Sequence, residues 1–104
     1  MKVIYNKIIP FKGYKCINLF GVLFVRKGCT MRESDYNHEA IHTKQMKELL
    51  YVPFYILYLL EWLYRLIQKG NAYRNISLEK EAYDNENDMD YLDKREHFSW
   101  IEYI

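Results

Sequence analysis

Leu49 to Leu60 is a run of twelve residues without a charged side chain, broken only by Pro53. After Glu61 the apolar sequence resumes as Trp62, Leu63, Tyr64, Arg65, Leu66 and Ile67. Any fold of this chain has to shield that segment from water. A spanning helix needs about twenty predominantly apolar residues, and runs of ten to fourteen are more often buried or interfacial. Length and the two internal charges favour a core helix over 53–69, buried nearly all round, with Glu61 and Arg65 paired four apart on one face. The competing reading lays this helix in a membrane surface, with Trp62 and the tyrosines at headgroup level.

A chain of 104 residues suits one domain spanning 1–104. Half the residues are hydrophobic, with eleven tyrosines, so a core can offset the entropy of ordering. A net charge of +1 gives no reason to expect nucleic acid as a partner, which calls for a clear basic excess. Cys16 and Cys29 form no CxxC pair and read as reduced thiols. Met1 to Lys7 lacks the long apolar core of a signal peptide, which places the protein in the cytoplasm, with the membrane surface left open by the apolar helix.

Residues 1–30 read as strands. Lys2 to Ile9 carries Val, Ile and Tyr and stops at Pro10; Phe11-Lys12-Gly13 offers a turn. Tyr14 to Arg26 then forms a second β-rich run ending at Lys27-Gly28, with Gly21 marking a bulge or close backbone approach. The expected sheet is small and antiparallel. Ser34, Asp35 and Asn37 each offer an N-cap for a helix over 34–50. Pro53 ends it or opens the next helix, and Gly70 supplies a stop. Ser77 can cap a third helix over 77–96, with Glu79 and Glu81 in its first turn. The apolar tail from Phe98 to Ile104 should pack back on the domain. The fold class is therefore α+β: an N-terminal sheet followed by three helices.

The chemistry concentrates in Asn37-His38-Glu39-Ala40-Ile41-His42. On a helix, His38 and His42 project from one face one turn apart, the spacing at which one metal ion takes both imidazoles. Glu39 is then placed to reach a water at the metal rather than the metal itself, as in the H-E-x-x-H arrangement of zinc peptidases. Two histidines leave such a site incomplete, since a catalytic zinc takes three protein ligands.

With Leu78-Glu79-Lys80-Glu81-Ala82-Tyr83-Asp84-Asn85-Glu86 downstream, the chain resembles the gluzincin metallopeptidases, over His38 to Asn85. In that family a Glu on a later helix completes the site, followed in several branches by Ala, with an acidic or amide residue four positions on orienting a ligand His. The resemblance implies Zn²⁺ held by His38, His42 and Glu81, with Glu39 as general base and Asn85 supporting a ligand. Asn85 stands where Asp is commoner. Glu79 is the alternative ligand, and His97 a third option. The whole layout also resembles that of a group of small bacterial proteins, which implies no function of its own.

The implied activity is peptide-bond hydrolysis by a metal-activated water, on a peptide or protein substrate docked along the edge ending in Leu23-Phe24-Val25-Arg26. A tyrosine can assist the oxyanion. The chain is short for such an enzyme, so a second copy, a membrane or a partner would complete the cleft. Two other readings stand beside it: a zinc-binding interaction module without turnover, and a metal-free, membrane-associated interaction protein.

Overall fold

The computed structural model describes residues 2–9 and 14–104. The turn expected at Phe11-Lys12-Gly13, with Pro10 before it, lies outside them. The fold is α+β: strands β1 (Lys2–Asn6), β2 (Cys16–Leu19) and β3 (Val22–Arg26), then helices α1 (Glu33–Glu48), α2 (Val52–Leu66), α3 (Ala72–Asn75), α4 (Ser77–Asn85) and α5 (Tyr91–Lys94), and a 3₁₀ turn at Ser99–Tyr103.

The sheet is mixed rather than antiparallel. Its order is β1-β3-β2, with β1 parallel to β3 and β2 antiparallel to it. Tyr14 to Arg26 is a hairpin instead of one strand. Phe20 and Gly21 form its turn, with φ of 54° and 87°, the positive pair that a tight right-twisting hairpin demands. Hence β3, with Leu23 and Val25 fully buried, is the central strand, and β1 and β2 are the two edge strands. The docking edge expected at Leu23 to Arg26 is thus closed on both sides.

Helix α1 begins at Glu33, one residue before the expected start. The Asp35 carboxylate accepts the backbone N–H of Arg32 at 2.9 Å, tying down one of the amides that the first turn leaves unpaired. Beyond Glu48 the chain turns through Leu50 and Tyr51, both at positive φ, and α2 leaves at 110° to α1 with Pro53 in its first turn.

The third long helix stops at Asn85 instead of running on to 96. Asn37 Nδ2 on α1 donates to the carbonyls of Asn85, Glu86 and Asp88, at 3.3, 2.9 and 2.9 Å, and Asp88 Oδ1 accepts the Asp90 N–H. These side-chain bonds give the backbone an alternative to another helical turn. At the other end, Ser77 is the first residue of α4, and its N–H and hydroxyl both donate to Glu61 of α2, at 2.7 and 2.5 Å.

Met46, Phe54, Ile76 and Leu78 form a core cluster joining α1, α2 and α4, with Trp100 from the tail packed on it. The expectation of an all-round buried α2 fails. Phe54 is its one buried residue, because the sheet and α4 both pack on α1 and, among the described residues, nothing covers the far side of α2. Among the described residues no single helix is long and apolar enough to cross a membrane; α1 and α2 reach that length only as a bent pair.

Candidate metal centre

Helix α1 buries a polar face. Its buried side chains are His38, Ile41, His42, Thr43, Gln45 and Met46, so the helix docks largely through groups that need partners once dry. The partners come from α4, whose first turn places Glu79 against the two imidazoles. Nε2 of His38 and of His42 lie 3.1 and 2.9 Å from Oε1 of Glu79, and 3.2 Å from each other. Among the described residues this is the group able to hold a metal ion, and all three side chains are buried.

Each ligand atom is aimed by a neighbour. Gln45 Nε2 donates to the Leu78 carbonyl and to Glu81 Oε1, both at 2.9 Å. Its oxygen must therefore face His42 Nδ1, at 2.8 Å, and Nδ1 must carry the proton. That leaves the His42 Nε2 lone pair pointing at the centre, the tautomer a metal requires. Glu86 Oε1 stands 3.6 Å from His38 Nδ1 and favours the same tautomer there. On the carboxylate, Tyr58 donates to Glu79 Oε2 at 2.6 Å, freeing Oε1 for the histidines. Tyr73 lines the same cavity as Glu79.

The electrostatics follow from this crowding. Burial alone would lower the His42 pKa, but the charge and hydrogen bond of Glu79, with help from Glu39 and Gln45, raise it to about 9. Burial pushes Glu79 up, yet the two histidines and Tyr58 hold it well below the ordinary carboxylate range. Without a metal, His42 therefore holds a proton between itself and Glu79.

Glu39 lines the same cavity as His42 and Glu79, of about 670 Å³, walled by Tyr58, Tyr73 and β2. Desolvation raises its pKa against the pull of the two histidines, and its carboxylate makes no hydrogen bond among the described residues. Burial of Tyr58 and Tyr73 beside Glu79 keeps both phenols protonated as donors. Cys16 faces the cavity too; burial and then Glu39 push its thiol up to about 12, so it stays a thiol rather than a nucleophile.

The other residues singled out in the sequence lie elsewhere. Glu81, wholly buried, is held by the Arg95 guanidinium and by Tyr91, which donates to it at 2.6 Å. Arg95 in turn makes a two-point pair with Glu48, at 2.9 Å for each bond. Glu81 thus steadies Gln45 while Glu79 meets the histidines. Asn85 donates to the Glu81 carbonyl and to Tyr103. His97 is exposed beside Glu48. The spacing reading missed Gln45, Tyr58, Tyr73 and Glu86, of which Gln45 alone had a local signal, three residues past His42.

No protein-family model, curated protein or solved structure matches this chain.

Proposed function

We propose that the chain is a zinc-dependent metallopeptidase with His38, His42 and Glu79 as ligands and Glu39 as general base. One observation carries this reading: two imidazole lone pairs and a carboxylate oxygen converge, buried, at the wall of a cavity that also presents Glu39. A tetrahedral zinc with bonds of about 2.0–2.1 Å holds its ligand atoms roughly 3.3–3.4 Å apart. The separations here are 2.9–3.2 Å, so a few tenths of an ångström of outward motion would seat the ion. Two nitrogens and one carboxylate oxygen are also the donor set of a catalytic rather than a structural zinc, which leaves a position for water.

Bound there, the ion supplies a Lewis acid that lowers the pKa of water and polarises a carbonyl. Glu39 takes the proton of the attacking water and returns it to the leaving amine, and its raised pKa suits both transfers. Tyr73, held as a phenol at the cavity wall, is the donor available to a developing oxyanion, since the Tyr58 proton is already committed to Glu79. An extended peptide would dock along β2, the edge strand that lines the cavity. Arg26 N–H donates to the Lys15 carbonyl while Tyr55 donates to that of Asn18, so alternation along the strand turns the Cys16 backbone outward. The cavity volume falls in the range that holds a small ligand or a few residues of peptide.

The test pairs metal analysis with a peptide-library assay. Wild-type protein is expected to carry one zinc per chain and to cleave. Glu39→Gln should keep the zinc and lose roughly 10²–10⁴ in kcat. Undiminished cleavage by Glu39→Gln would overturn the mechanism. Full zinc with no cleavage of any peptide would leave a metal-binding module without turnover.

A further inference from the structure

We propose that the outer face of α2, with the tip of the β2–β3 hairpin, seats the protein on an anionic lipid bilayer. Ile56, Leu59, Leu60, Leu63 and Ile67 repeat at helical spacing and are 48–83% exposed, a stripe turned away from the core. The two charges of this stretch do not interrupt it. Glu61 and Arg65 pair on the inner side, with side chains 17% and 14% exposed. The apolar surface continues over the α1–α2 corner through exposed Leu50 and Val52. It ends on Phe20, whose ring packs 5.2 Å from that of Tyr55. Phe20 occupies a positive-φ turn position that ordinarily takes Asn or Gly, and it leaves an aromatic side chain half exposed at the tip.

Charge decides what covers this face. The net charge of +1 conceals a segregated surface. Of the described residues up to Tyr83, Glu33 is the one exposed acid, whereas Asp84, Asp90, Asp93, Glu96 and Glu102 are exposed beyond it. The exposed charges nearest α2 along the chain are Lys44 and Lys47 before it and Lys69 after it. A second copy docked through α2 by two-fold symmetry would bring basic ends onto basic ends, whether the helices ran parallel or antiparallel. A layer of anionic headgroups matches both ends at once and accepts the apolar stripe between them. The 15 residues of α2 span about 22 Å, short of the hydrocarbon core of roughly 30 Å. The helix therefore lies in the interface, with Trp62 and Tyr64 at headgroup depth.

Vesicle flotation of the full chain tests this, with phosphatidylglycerol–phosphatidylcholine vesicles against pure phosphatidylcholine. The protein should float with the anionic vesicles and release as salt rises. Leu59→Glu with Leu63→Glu should weaken binding by more than roughly tenfold while moving the melting temperature little, since both side chains are already about half in water. Lys47→Glu with Lys69→Glu should weaken binding to anionic vesicles by roughly tenfold or more. His42→Ala should float like wild type, so failure of the metal reading and failure of this one are separable. No flotation of folded wild-type protein overturns the proposal. So does flotation unaffected by Leu59→Glu with Leu63→Glu, or a solution dimer that the same double substitution dissociates.

Discussion

Zinc supplied at a thousandfold excess over its dissociation constant is expected to raise the melting temperature of the metal-free protein by roughly 15–30 °C. Such an excess stabilises by about 4 kcal/mol, and each kcal/mol moves a domain of this size by about 4–8 °C. The physical source is the crowding of His38 Nε2, His42 Nε2 and Glu79 Oε1 in a dry site, where one proton cannot bridge all three pairs. His42→Ala and Glu79→Gln should each abolish the zinc-induced shift. The effect also depends on pH in a defined direction. In the metal-free protein the His42 pKa is raised to about 9, so its pairing with Glu79 stabilises fully below the ordinary 6.5 and is lost as pH rises through 9. Zinc has to displace that proton, so its affinity should rise by about tenfold per pH unit up to the same point. The gap in melting temperature between zinc-loaded and metal-free protein therefore widens from pH 6.5 to 9. Calorimetry at three pH values in that window reads it directly; a gap that narrows would remove His42 from the ligand set.

Arg95→Ala is expected to destabilise the fold by about 3–5 kcal/mol in a urea titration, the usual effect of leaving buried charge without its partner. Arg95 is 3% exposed and its two carboxylates, on Glu48 and Glu81, are 4% and 0% exposed. Removing the guanidinium leaves both facing each other in the interior. Glu81→Gln is milder, because an amide can still accept from Gln45, and that variant should keep its zinc, whereas Glu79→Gln loses it. Zinc content of the two folded variants thus separates the structural carboxylate from the ligand. The same network sets the acid limit. Burial raises the Glu48 pKa, but Arg95, the Phe98 N–H and His97 lower it further. Its stabilisation is accordingly present above the ordinary 4.5 and lost as pH falls below that. Arg95→Ala should flatten this acid limb of the stability curve.

The motif helix and its histidine face were legible because i and i+4 spacing is a property of one helix. The choice between Glu79 and Glu81 was not. Two positions apart in a first turn, they point to nearly opposite sides of α4, and the rotation of α4 is set by Leu78 and Ala82 packing inward together with Arg95. The guanidinium that claims Glu81 comes from 14 residues further on, and no local pattern announces it. The polar character of the buried α1 face had the same effect, since apolar periodicity could not mark Gln45 as interior. For α2 the composition revealed an apolar helix but not the absence of a second layer to cover it. The parallel pairing of β1 with β3 was equally hidden, because strand order depends on where the chain crosses the sheet rather than on the strands' own residues.

Helix α2 is a wall one helix thick. Phe54, Tyr55 and Tyr58 line the cavity from its inner side, and Glu61 caps the start of α4, so those positions are constrained by shape and hydrogen bonding. On the outer side, one to two residues away along the chain, substitution changes solubility and surface chemistry while the interior stays as it was. The two faces are therefore free to diverge at different rates. A lineage could exchange what the outer face adheres to, charge by charge, without disturbing a side chain that reaches the histidines.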